Sequence, residues 1–99
     1  MQKLSSTYRK HGLTYTLIER NDKLCIYGVS GTYTDKILHY EVMFIRERND
    51  SYGHREAIPS DEEFGKTKND THFKTLAEAR EYYAEWLQNI YNRYDKKQK

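Results

Sequence analysis

Apolar and aromatic side chains recur at Leu76, Ala79, Tyr82, Tyr83, Trp86, Leu87, Ile90, Tyr91 and Tyr94. This is the i, i+3, i+4, i+7 spacing of a helix with one buried stripe, and it predicts a helix over residues 75–94 with Trp86 largely buried. Thr75 followed by Glu78 is a capping-box pattern, in which the hydroxyl takes the N3 amide and the carboxylate reaches back to the N-cap amide. Upstream the period changes to two. Leu13 to Glu19 alternates as far as Leu17 and reads as a strand, Leu24 to Val29 as a second, and Ile37 to Ile45, the most hydrophobic run, as a central third.

Arg20-Asn21-Asp22-Lys23 is a turn sequence, since Asn and Asp tolerate the left-handed backbone of a two-residue hairpin loop. With Asn21-Asp22 as that loop, Arg20 faces Lys23, Ile18 faces Cys25, Leu17 faces Ile26 and Thr16 faces Tyr27. One face then carries Leu13, Tyr15, Leu17, Leu24 and Ile26; the other carries Thr14, Thr16, Ile18, Cys25, Tyr27 and Val29. In the third strand Tyr40, Val42 and Phe44 belong under the helix, and Glu41, Met43 and Ile45 on the opposite side.

The remaining stretches are polar. Residues 1–10 read as a flexible arm or short edge strand, and 95–99 as a frayed tail. Residues 46–70, with Pro59 and the acidic run Asp61-Glu62-Glu63, read as a long polar loop. Within it Glu56-Ala57-Ile58 can make a short fourth strand, and Thr71-His72-Phe73 a stub before the helix. The expected architecture is one small α+β domain over residues 1–99, a three- to four-stranded antiparallel meander with a C-terminal helix on one face.

Composition narrows the function classes. A single cysteine, Cys25, leaves no intramolecular disulfide and suits a reducing, cytoplasmic setting. No apolar run approaches a membrane span, and the first six residues lack the apolar core of a secretory signal. Seventeen Lys and Arg against fifteen Asp and Glu are too balanced to announce nucleic-acid binding on their own. The ends are mildly basic, however, through Lys3, Arg9 and Lys10 at one and Lys96, Lys97 and Lys99 at the other.

Candidate chemistry is sparse. His11, His39, His54 and His72 fall in no metal-ligand spacing, although His54 and His72 flank the acidic run. Ser30 lacks the G-x-S-x-G context of a nucleophile, and the five glycines form no phosphate loop. No catalytic group, metal or cofactor is therefore expected.

Phe73-Lys74-Thr75-Leu76-Ala77-Glu78-Ala79, with Tyr82 and Tyr83, resembles the strand-to-helix junction of AP2-type and integrase arm-binding modules. That resemblance implies three antiparallel strands on one helix, with the free sheet face entering a DNA groove. The likeness is confined to this junction. Here that face offers Thr14, Thr16, Tyr27, Glu41 and Met43 where the family has arginines, and an acidic loop interrupts the path to the helix.

Ten tyrosines are the compositional excess, and tyrosine suits binding surfaces and half-buried positions alike. An outer face of Ile18, Cys25, Tyr27, Val29, Met43 and Ile45 is too apolar to stand in water. It calls for a covering segment, a partner or a second copy. The expected contacts are Tyr27, Tyr33, Met43 and Ile45 in a small protein-binding module. Chains of this size and plainness are common among phage and mobile-element products that block a host-defence protein. The alternative is nucleic-acid binding through sheet tyrosines and the basic ends.

Overall fold

His11 and Gly12 both take positive φ, 53° and 75°, which is the backbone of a two-residue primed hairpin turn. They fold β1 (Thr7–Lys10) back onto β2 (Leu13–Arg20). The computed structural model describes residues 2–31, 33–34, 36–51, 53–58 and 71–98, with side chains placed through Asn89 and from His72 in the last segment. The further elements are β3 (Leu24–Gly31), β4 (Ile37–Phe44), β5 (Arg46–Asp50), β6 (Gly53–Ala57), β7 (Thr71–Phe73) and α1 (Leu76–Gln98). Five strands form one antiparallel sheet in the order β1-β2-β3-β4-β7, and β5 and β6 form a separate ribbon. The α+β two-layer architecture holds, with strands added at both edges of the expected meander.

The β2–β3 turn sits one residue later than Asn21-Asp22. Asn21 donates its amide to the Leu24 carbonyl at 2.9 Å, and its Oδ1 accepts from the Lys23 and Leu24 amides at 2.7 Å each. An Asn side chain that bonds the backbone two and three residues on belongs at the first position of a turn, so Asp22-Lys23 becomes the tip. Arg20 then pairs with Cys25 and Glu19 with Ile26. A β-bulge at Ile18 puts Leu17 opposite Tyr27 and Thr16 opposite Gly28. Because side chains alternate, this moves Leu13, Tyr15 and Leu17 off the helix-covered face.

Two cores result. Under the helix, Leu24, Ile26 and Val42 are buried against Ala79 and Tyr83, ringed by Ile18, Tyr40, Phe44, Phe73, Leu76, Tyr82, Trp86 and Leu87. Tyr40, Val42 and Phe44 lie there as expected. Trp86 does not reach full burial; Ala79, at 0% exposure, and Tyr83 form the close line instead. A small side chain brings the helix axis near the sheet and leaves the bulky indole at the margin. The helix start follows the capping box in part. The Glu78 amide donates to Thr75 Oγ1 at 3.2 Å, but the carboxylate accepts from the Thr75 hydroxyl at 2.9 Å rather than reaching the N-cap amide.

On the opposite side Tyr15, Cys25, Tyr27, Val29, Met43 and Ile45 make a second buried cluster. Leu4 and Tyr8 from the N-terminal segment, with Leu13, Leu17 and Ile58, pack against it. Ile18, expected on this face, packs under the helix because of the bulge. Tyr8 stacks on Tyr15 at 4.6 Å between centroids and meets Tyr27 edge-on at 5.1 Å. The segment expected to fray is tied down. Gln2 donates to the His54 carbonyl and accepts from the Glu56 amide, the Leu17 amide donates to the Ser6 carbonyl, and the Tyr27 hydroxyl donates to the Ser5 carbonyl.

The polar stretch from Arg46 holds a hairpin where a loop was expected. Its two strands are polar on both faces, so no apolar period announced them; backbone pairing and one buried ion pair hold them. Glu56 and Ala57 end β6 in this separate ribbon, and Ile58 follows it. Pro59 and Asp61-Glu62-Glu63 lie outside the described residues.

Candidate interaction surfaces

The hub that joins arm, sheet and ribbon is Glu56. Its side chain is 4% exposed, and it accepts both fork nitrogens of Arg20, at 2.6 and 2.7 Å. It also accepts the Leu4 amide at 3.1 Å, with Lys3 Nζ 3.9 Å away. Hydrogen bonding from Arg20 holds this carboxyl at about 2, well below the usual range and against the opposing effect of burial. On the covered face, burial pushes the Tyr27 phenol up to about 12, with Cys25 adding to the rise. Burial, then the neighbouring Tyr15 and Tyr27, pushes Tyr8 further still. The Tyr8 hydroxyl is buried with no hydrogen-bond partner. These tyrosines are packing groups.

Of the residues expected to meet a partner, Tyr27, Met43 and Ile45 are therefore buried, at 1%, 2% and 5% exposure. Of the three coverings that the sequence left open for this face, a segment of the chain itself, a partner or a second copy, it is the arm and Ile58 that lie on it. Tyr33 stands apart, fully exposed in the β3–β4 connection. That connection is a turn, with the Thr34 amide donating to the Gly31 carbonyl at 3.5 Å and its hydroxyl accepting from the Lys36 amide at 3.1 Å. Just beyond it Leu38 and Ile37 are also exposed. These three are the exposed large hydrophobic residues among those described. Ile37 leans over Gly28, where a Cβ would sit 3.1 Å from Ile37 Cδ1 and 3.3 Å from Ile18 Cδ1. Leu38 lay hidden inside the third strand, whose apolar residues read as belonging to one sheet face or the other rather than to an exposed tip.

Lys3 is on the arm, exposed Arg9 and half-buried Lys10 alternate along β1, and the side chains of Lys96, Lys97 and Lys99 lie outside the described residues. His39 Nε2 lies 2.8 Å from Glu41 Oε2, and its ring meets His72 at 5.7 Å. His54, on β6 of the ribbon, lies 3.6 Å from Glu47, whereas His72 is on β7 of the five-stranded sheet. Among the described residues no three His, Cys, Asp or Glu side chains are grouped so as to hold a metal ion. No described helix is long and apolar enough to cross a membrane. Compared with known proteins, the chain matches no family model, no curated protein and no solved structure.

Proposed function

We propose that this chain is a small non-enzymatic module that binds a protein partner through the β3–β4 tip. The observation that carries the reading is the concentration of exposed apolar surface in Tyr33, Ile37 and Leu38, at one end of the sheet, while the other described apolar faces are packed. An aromatic anchor beside aliphatic neighbours supplies contact area for the loss of few torsions. The tip replaces Tyr27, Met43 and Ile45 as the contact surface. The narrower expectation of a phage product acting on a host-defence protein rests on chain size alone.

The test is a partner-binding measurement with Tyr33→Ala and Leu38→Ser, each checked for an unchanged fold. Truncating a central anchor costs about 2 kcal/mol or more, so affinity should fall at least about thirtyfold. An apolar contact also responds weakly to salt. An affinity that collapses between 50 and 200 mM salt and ignores both substitutions would indicate phosphate contacts and the nucleic-acid alternative.

A further inference from the structure

A groove of about 540 Å³ runs between the N-terminal arm and the β5–β6 ribbon. Its apolar lining includes Leu4, Tyr8 and Ile58, and its cations are Lys3 on one wall and Arg48 and Arg55 on the other. The ribbon sorts its charges by face. Arg46 pairs with Ala57, Arg48 with Arg55 and Asp50 with Gly53, which places three arginines and one acid on one side. Glu47, Glu56, Asn49 and His54 fall on the other. Like charges directly opposite each other in an antiparallel pair are destabilising. Asp50 offsets one of them, at 3.2 Å from Arg55 Nη2. Glu56 also lines the groove, but its oxygens accept the Arg20 fork and the Leu4 amide.

We propose that this groove binds a small organic oxyanion, a carboxylate or phosphate monoester carried on an apolar body. Lys3, Arg48 and Arg55 line the groove and supply the positive charge an oxyanion needs, with Asp50 already on Arg55 Nη2 and Glu56 3.9 Å from Lys3 Nζ, and Leu4 and Ile58 receive the body. A volume of several hundred Å³ in which charged and polar groups converge beside Leu4, Tyr8 and Ile58 is within the size range of small-molecule sites. The inference is independent of the β3–β4 tip, which lies on other elements.

The experiment titrates the full chain with phenyl phosphate at pH 7 and 20 mM salt, following backbone amide shifts. Benzoate, inorganic phosphate and benzyl alcohol are run alongside, with a short phosphotyrosine peptide as a further probe. Phenyl phosphate should move the Leu4, Arg48, Arg55 and Ala57 amides. Inorganic phosphate should bind at least fivefold more weakly, and benzyl alcohol weakest. Arg48→Gln with Arg55→Gln should lower affinity at least tenfold while preserving the remaining spectrum; Lys3→Gln should lower it severalfold and Arg9→Gln not at all. A peptide tenfold tighter than phenyl phosphate would assign the oxyanion to a side chain of another protein, and equal or weaker binding to a free small molecule. Groove amides that do not move, binding that survives the double arginine variant, or benzyl alcohol binding as well as phenyl phosphate would overturn the proposal.

Discussion

Removing the Glu56 carboxylate should loosen three parts of the fold together. Glu56→Ala leaves the Arg20 guanidinium without its fork partner, the Leu4 amide without an acceptor, and the arm held by its remaining backbone bonds. Two routes give the size of the loss. Breaking a buried ion pair by deleting one member costs about 3–5 kcal/mol. Arg20 is 24% exposed and recovers some hydration, which favours the lower end. A carboxyl drawn from 4.5 to about 2 represents roughly 3 kcal/mol of differential stabilisation. The expected cost at pH 7 is therefore about 3 kcal/mol, read by urea denaturation. A depressed carboxyl contributes stability above its unfolded value, near 4.5, and loses it as pH falls toward about 2. The gap between wild type and variant should shrink by about 2 kcal/mol between pH 5 and pH 2.5. A cost below about 1 kcal/mol at pH 7, or one that stays constant down to pH 2.5, would refute the role assigned to this ion pair.

Other expectations follow from the two cores and the arm. Met43→Glu should unfold the chain or cost more than about 3 kcal/mol in a denaturation curve, because it buries an unpaired charge at a 2% exposed site; an unfolding midpoint like wild type would return Met43 to the surface. Tyr83→Ala should cost about 3–5 kcal/mol, and Trp86→Ala clearly less, since the indole is only half-buried; the reverse order would mean the helix is rotated. Tyr27→Phe should cost about 1 kcal/mol through the lost 2.7 Å bond to Ser5, and speed amide exchange at Leu17, whose bond to Ser6 anchors the same arm. Its phenol, raised to about 12, contributes stability below pH 10 that is lost between pH 10 and 12, and since two units are about 2.7 kcal/mol, the roughly 1 kcal/mol advantage over Tyr27→Phe should vanish and then reverse on alkaline titration.

The helix and the three central strands were legible because each has an apolar period that a single amphipathic layer imposes. The face of β2 was not, because the bulge at Ile18 decides it, while moving the turn tip by one residue shifts the pairing by two and leaves the face unchanged. Asn21 serves as the capping first position, and the bulge at Ile18 then reverses the side on which Tyr15 and Leu17 fall. The β1 hairpin had a local signal in His11-Gly12, since His and Gly both tolerate positive φ. The ribbon had none in its hydrophobicity, because Arg46 to Asp50 and Gly53 to Ala57 present polar groups on both faces. An apolar outer face did follow from Cys25, Tyr27, Val29, Met43 and Ile45. What covers it depends on where Leu4, Tyr8 and Ile58 come to rest, which no local pattern encodes. For the same reason three of the four expected contact residues proved to be core, and the exposed tip kept only Tyr33.

The most direct test of the binding account places a photo-crosslinking amino acid at position 33 in the full chain, expressed in its native host, with position 85 on the exposed side of the helix as control. The account predicts one dominant protein adduct from position 33, absent from position 85 and lost when Leu38→Ser is added. Adducts that form equally from both positions, that consist of nucleic acid, or that persist with Leu38→Ser would contradict it.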